Sequence, residues 1–189
     1  MATLDTPVHR TLAQLRAALD DIRQSPRNVG RLDLIVRRPQ VGEREVLEEG
    51  WLTEAEGLAG DSWCQRSSSR SADGSPHPDM QLTLMSTRAI AAITPDEDRW
   101  PLAGDQMFVD LDLTEEHLPP GTRLHIGDAI VVVTTQPHTG CGKFVERFGV
   151  DAMKWVNSAE GRHLHLRGIY VRVVQEGRIR RGDHITVRR

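Results

Sequence analysis

Lysine is nearly absent from this chain. Of 24 basic residues in 189, only Lys143 and Lys154 are lysine, so arginine carries the positive charge. Cysteine is equally scarce, with Cys64 and Cys141 alone. Two thiols make neither a disulfide framework nor a four-cysteine zinc site. In a reducing compartment both would stay free. No apolar run approaches the ~20 residues of a membrane span. The opening stretch MATLDTPVHRTLAQL carries charge too often for the apolar core of a signal peptide. A cytoplasmic location, with no membrane partner, is the expectation. The excess of positive charge that a general nucleic-acid binder needs is also missing, because the formal net charge is −3.

What is present reads as an ordinary globular chain, 38% hydrophobic and 27% charged. At this length a chain buries about 70% of its unfolded surface and needs no disulfide or metal to fold. The clearest helical signal is at 7–24, where Val8, Leu12, Leu15, Leu19 and Ile22 form one apolar stripe. Thr6 is placed to cap it, with Pro7 in its first turn. That stripe suits packing on the body of the protein or a homodimer contact. Residues 1–29 therefore read as an N-terminal helical extension and 30–189 as the main domain.

From Gly30 onward the pattern turns to alternation. GRLDLIVRRP, QLTLMS, QMFVDLDL and AIVVVTTQ read as strands, and Ser86 is placed to cap a short helix, TRAIAAI. Residues 65–80, rich in Ser, Gly, Pro and Asp, read as a loop with the length and composition of a lid. The motif Gly-Asp-x-Ile-x-Val occurs twice, in IGDAIVVV and RGDHITVR, each a turn feeding a strand. CGKFVERFG and DAMKWVNSAEG read as two short helices, followed by a long strand in HLHLRGIYVRVVQEG. Strands dominate and no alternation of strand and helix is visible, so the fold class is mainly β: a barrel-like core with several short helices and an N-terminal helix.

The stretch PHTGCGKF, residues 137–144, carries the chemistry. Cys141 falls where a buried strand gives way to a helix. Backbone N–H groups at a helix start and a neighbouring cation favour the thiolate form of a cysteine. Lys143 and a protonated His138 are candidates for that cation. Gly140 and Gly142 allow close approach to the sulfur. The plain alternative is a small buried hydrophobe, and Cys64, beside Trp63, reads as a structural thiol. Arg167 and Gly168 interrupt an apolar strand, which joins a guanidinium to a close-approach glycine. The later arginines, Arg178 to Arg189, read as a solvated face. His163 and His165, at i and i+2, could share a strand face but have no third metal ligand nearby. In GLAGD, residues 57–61, Gly57 and Gly60 stand three apart and could bring backbone N–H groups near a ligand.

Taken in order, EGLAGD, QLTLMS, GDQMFVDLDLTE…LPPGTRLHIGDAIVVVT, the single Cys141 and LRGIYVRVVQEGRIRRGDHITV resemble the MOSC domain, named for the C-terminus of molybdenum cofactor sulfurase. The resemblance covers about residues 30–189. It implies a mostly β, barrel-like domain and a cysteine after the central strand, which falls on Cys141. It further implies that Cys141 ligates the metal of a molybdenum cofactor (molybdopterin), or carries sulfur as a persulfide. Lys143, Arg167, Gly168 and His138 would hold the anionic cofactor, and Gly60 and Asp61 would line the same mouth. Small members of the family are similar to enzymes that reduce N-hydroxylated compounds, and such an activity would call on an external redox partner. A sulfur carrier would call on a sulfur-donor protein. A non-catalytic binding module is a third reading. The family's label of pyridoxal phosphate binding finds no support here, since neither lysine has a recognisable Schiff-base setting. This chain departs from the family in having Gly140, not proline, before the cysteine.

Overall fold

In the first core strand, β1 (Val29–Arg37), Leu32 and Ile35 point to one apolar cluster, while Leu34 and Val36 point to another. Strict alternation cannot place Leu32 and Ile35 on one face. A register shift between Leu32 and Leu34 against the neighbouring strand adds the missing residue, as a β-bulge does. Both faces of this strand are therefore buried. That geometry sets the whole design, with a barrel filled by one cluster and helices laid over the other.

The structure is a computed structural model that describes residues 9–188. After β1 come β2 (Glu45–Leu47), β3 (Glu49–Thr53), β4 (Gly57–Leu58), β5 (Leu82–Ser86) and β6 (Met107–Asp110). Then follow β7 (Arg123–Ile126), β8 (Ala129–Val133), β9 (Ile169–Gln175), β10 (Gly177–Arg180) and β11 (His184–Arg188). The large sheet runs β11-β7-β8-β9-β5-β6-β1-β2, and pairing of β11 with β1 closes it. Seven strands thus form a barrel, with β2 flanking it. The barrel is mixed, since β5 and β6 are parallel and the other pairs antiparallel. A small sheet, β10-β3-β4, leans against it. The mainly β fold class with short helices is as the sequence led us to expect.

Leu32, Leu84, Met107, Leu124, Val131 and Val171 fill the barrel without solvent exposure. A barrel this narrow has an interior taken up by side chains. A ligand must therefore bind outside it. The outer cluster, with Phe108, Met85 and Leu34 on the strands, is covered by four helices and by Leu164, the C-cap of a fifth. These are α1 (Leu12–Ala17), α2 (Leu19–Arg23), α3 (Thr87–Ile93), α4 (Gly142–Asn157) and α5 (Ala159–His163). Ser86 accepts from the Ala89 N–H and caps α3, as its sequence indicated.

The N-terminal helix differs from its sequence reading. Thr6, Pro7 and Val8 lie outside the described residues. The helix starts at Leu12, capped by Thr11 in a reciprocal box with Gln14, and is interrupted at Ala18. Leu15, Leu19 and Ile22 are buried in the outer cluster, so the stripe is spent on the body. β1 begins at Val29, one residue ahead of the expected boundary at 30.

Two further readings need correction. The pair His163 and His165 does not share a strand face. His163 ends α5 and His165 lies in a turn with φ 48°, its Nδ1 against the Leu113 carbonyl, because the strand begins only at Ile169. The two Gly-Asp motifs also diverge. The first joins β7 to β8 as a hairpin, whereas the second carries the chain from the small sheet (β10) back to the barrel (β11). The two turns nevertheless touch. The Asp128 N–H donates to the Arg178 carbonyl, and the Gly127 Cα faces Arg178 and Asp183 too closely for any Cβ. Arg178, Arg180, Arg181 and Arg188 are exposed, as expected of a solvated face.

Candidate functional site

β8 leaves the barrel at Val133, and an extended segment leads to Cys141, the N-cap of α4. Gly140 is fixed by Asn157, whose side chain accepts from the Gly140 N–H (2.9 Å) and faces its carbonyl. Cys141 is exposed, so the plain reading of a buried hydrophobe fails. Gly149, with φ 86°, kinks α4 and divides it into the two helical stretches legible in the sequence. The first stretch is only two turns long, so its dipole is small. Charge at this site comes from side chains instead.

A cavity of about 280 Å³ opens beside the sulfur, lined by Arg38, Arg44, Arg66, Lys143, Arg147 and Arg167 together with Cys141 and Phe144. Six basic side chains and no carboxylate line it. A second cavity of about 240 Å³ adjoins it and shares Arg38, Arg66, Gly104 and Arg167. The second cavity is walled by Trp63, Ser67, Ser68, Pro76, His77 and Met80, so the segment read as a loop with lid character forms one of its sides. That segment is not wholly irregular, since residues 62–65 and 78–80 each form a 3-10 turn. Cys64 lines neither cavity.

Two carboxylates set the arginines in place from behind. Asp61 is buried, and accepts from Arg38 Nε (2.9 Å), Nη2 (2.8 Å) and backbone N–H (3.0 Å). The remaining Arg38 nitrogen donates to the Gly104 carbonyl. Burial pushes the Asp61 carboxyl up, but the Arg38 bonds outweigh it and its pKa falls below the ordinary value. Asp105, fully buried, accepts from Arg167 Nη1 at 2.6 Å. Arg167 Nη2 donates to the Ala103 carbonyl, and the guanidinium lies 5.0 Å from the centre of the Phe144 ring. The Arg167 Nε–H has no partner among the described residues. Burial raises the Asp105 pKa despite Arg167.

Among the described residues, Arg44, Arg66 and Arg147 have no such carboxylate behind them. They donate to the Pro101 carbonyl, the Ser62 hydroxyl and the Leu102 carbonyl, respectively. Burial first, and the neighbouring arginines second, lower the pKa values of Arg44 and Arg66. The cavity thus concentrates positive charge that no carboxylate among the described residues lines.

The structure relocates several expected site residues. Lys143 lines the cavity, and so does Arg167. Asp61 does not present a free carboxylate, because Arg38 occupies both its oxygens. Gly60 faces away, with its N–H on Glu56 and its Cα against Arg37. Gly168 serves the fold, with its Cα pressed on the Leu84 backbone of β5. His138 is not the cation beside the sulfur. It is buried against Tyr170 (ring centroids 4.6 Å apart), and burial together with Arg167 and Arg38 drives its pKa well below 6.5. Its Nδ1 lies 3.7 Å from Asp105 and has no hydrogen bond.

A neutral buried His138 has a consequence for stability. The unfolded chain takes up its proton as pH falls past about 6.5, whereas the native state does not. Stability is complete above that pH and falls below it, by at most about 1.4 kcal/mol per pH unit for one proton. Urea unfolding from pH ~7.5 down to ~5.5 should therefore show a steeper loss for the wild type than for His138→Gln. Parallel slopes would refute the assignment.

Sequence reasoning missed Arg38, Arg44, Arg66, Arg147, Asp105 and Tyr170. A signal existed for Arg147, because Lys143 and Arg147 are like charges at i, i+4 on one helix face, an arrangement that is unfavourable without a counter-anion. Arg38 and Arg44 flank a loop and left no comparable mark.

Among solved structures, the fold is similar to the YUAD protein from Bacillus subtilis, with a TM-score of 0.60 at 19% identity over 84% of this chain and 95% of that one. YiiM from Escherichia coli gives 0.55 at 20% identity, over 84% of this chain and 70% of that one. YiiM from Geobacillus stearothermophilus gives 0.56 at 16%, over 85% and 75%. No curated protein sequence matches the chain. The MOSC domain model matches residues 77–186, more than half of the chain, from the turn before β5 into β11. With the closed mixed barrel and the cysteine placed outside it, this match establishes that the chain belongs to the MOSC domain family.

Proposed function

We propose that this protein holds a molybdenum cofactor in the arginine-lined cavity, with the Cys141 thiolate as metal ligand, and serves in the reduction of N-oxygenated compounds. The observation that carries the reading is an exposed thiol opening on six basic side chains with no carboxylate among them. Molybdenum accepts thiolate ligands, and an anionic pterin needs the charge that Arg44, Arg66, Lys143 and Arg147 leave unpaired. The orphaned Nε–H of Arg167 is a ready donor toward such a group. The cofactor, when bound, supplies the oxygen and electron transfer, and the protein supplies ligand, grip and enclosure.

The remaining residues have positioning work. Asp61 and Asp105 hold Arg38 and Arg167 so that their guanidiniums cannot swing away. Phe144 backs Arg167 from the helix side. The adjoining cavity, between residues 63–80 and Tyr170, is the place for a small substrate. The loop that forms its side is tied at Arg70 to Gln136 (2.8 Å) and through the Asp79 carbonyl to Thr134 (2.6 Å). Its closure would limit water.

The test is metal and pterin analysis of protein made in a host that synthesises the cofactor. The wild type should carry molybdenum and pterin in comparable amounts. Cys141→Ser should lose the metal at least about tenfold with its folding intact, because the side chain is exposed. Wild-type protein without molybdenum, or a serine variant that retains it fully, would overturn the reading. Exposure of Cys141 also favours a second reading, a sulfur carrier, since persulfide exchange needs open access. Gain of one sulfur atom on Cys141, without molybdenum, would select it.

A further inference from the structure

Behind the second cavity the fold leaves a pair of buried polar atoms unmatched. Nδ1 of His138 and Oδ1 of Asp105 lie 3.7 Å apart, and neither has a hydrogen bond among the described residues. The His138 side chain is 9% exposed and that of Asp105 is sealed from solvent. Unpaired atoms so deeply buried are costly, and each calls for an explanation. The other Asp105 oxygen is taken by Arg167 Nη1, at 2.6 Å. A guanidinium can only donate, so Arg167 holds Asp105 as an acceptor. Tyr170 packs on the His138 ring, with Trp63, His77 and Met80 forming further walls of the cavity.

We infer that His138, with its tautomer fixed by Asp105, presents a lone pair at Nε2 to the second cavity and there selects ligands that carry a hydrogen-bond donor. Asp105 draws the ring hydrogen to Nδ1, and a slight tilt of the ring closes the gap between them. Contacts of this kind are often long until a ligand tightens them. The imidazole is neutral, because burial and the charges of Arg167 and Arg38 disfavour a second proton. Nε2 is then an acceptor. With Nδ1 sealed, it is also the ring nitrogen that a ligand in the cavity can reach. Asp105 touches no ligand and acts through His138 as a positioning residue.

The inference rests on the proposed use of this cavity for a substrate and narrows what it accepts. An N-hydroxylated compound offers the O–H of its N–OH group to Nε2. A tertiary N-oxide offers only an acceptor oxygen, which would meet a lone pair. A site built to bond a donor rejects the analogue that lacks it. Hydroxylamines should therefore enter and tertiary N-oxides should not, although both are N-oxygenated.

The experiment pairs two measurements on the purified chain. Nitrogen NMR of labelled histidine should show hydrogen on Nδ1 of His138 and none on Nε2 near neutral pH. Calorimetric titration compares phenylhydroxylamine with N,N-dimethylaniline N-oxide, whose nitrogen group has no donor. The hydroxylamine should bind at least about tenfold more tightly, the worth of one hydrogen bond made against one refused. Asp105→Asn should reverse both results. Arg167 claims the amide oxygen, so the amide NH2 faces Nδ1 and drives the hydrogen to Nε2. His138→Gln, which can donate or accept, should lose the preference. Unfolding temperatures show that each variant is folded, and if Asp105→Asn is not, the wild-type tautomer and titration decide alone. Hydrogen on Nε2 in the wild type, equal affinity for the two probes, or no binding of either, overturns the inference. So does a folded Asp105→Asn protein that keeps the wild-type preference. Preference for the hydroxylamine in a protein that never acquires molybdenum would sink the cofactor reading and leave this one standing. A molybdenum-loaded protein indifferent to the two probes would do the reverse.

Discussion

Arg167→Met should lower the unfolding free energy by about 3–5 kcal/mol, because it strands a carboxylate that has no solvent exposure. For a chain of this size that is a fall of roughly 10 °C in the unfolding midpoint. The loss has three parts. Asp105 forfeits its ion-pair partner, the Ala103 carbonyl forfeits a donor, and the Phe144 ring forfeits the cation above it. Protonation of Asp105, which burial already favours, limits the damage. The loss should therefore shrink as pH is lowered. It should also shrink in the double variant Asp105→Leu, Arg167→Met, which removes both buried charges. A midpoint within about 2 °C of the wild type would mean that Arg167 serves the ligand alone and the fold hardly at all.

Gly168→Ala should be comparably severe, at about 3 kcal/mol or more. The backbone there has φ +97°, which costs any other residue on the order of 1–3 kcal/mol. A Cβ would also sit 2.2 Å from the Leu84 carbonyl oxygen and 3.2 Å from the Met85 Cα. Those atoms belong to β5, whose Leu84 is in register with Ile169 of β9, so no side chain can turn aside to make room. Overpacking of this kind adds about 1–3 kcal/mol. Gly142→Ala is the control. Nothing lies within 4 Å of its Cβ position, and the change should stay within about 0.5 kcal/mol. Urea unfolding of both variants checks the contrast, and similar midpoints would refute it.

These two glycines show what the sequence could and could not convey. Gly140 and Gly142, beside the cysteine, looked like the ones that open a site, yet no neighbour constrains Gly142. Gly168 looked like a contact to ligand and is a contact between strands. The strand pattern, the α3 cap and the position of Cys141 were readable because each depends on a few adjacent residues. Of the cavity's five arginines only Arg167, which interrupts an apolar strand, could be picked out. Arg38, Arg44, Arg66 and Arg147 come from separate parts of the chain and meet it only in the folded protein. In a chain where arginine is the ordinary cation, none of those four stands out. Asp61 was noticed, but its role could not be, since nothing local tells that its partner is Arg38 across 23 residues. His138 was misjudged for a similar reason, because its charge state depends on burial beside Tyr170 and Arg167.

The seam between β1 and β11, where Val29 lies opposite Thr186, bears on how the protein is made. Joining residues 157 apart (186 less 29) carries a chain-entropy cost of about 4–5 kcal/mol before any contact along it is gained. Synthesis from the N-terminus cannot offer that contact until His184–Arg188 have emerged. Through most of translation β1 therefore waits with one side unmatched, a state in which nascent strands are prone to join the wrong neighbours. The arginine cavity, whose lining runs from Arg38 to Arg167, draws nothing from β11, so every residue of the ligand site has been made before the strand that seals the barrel.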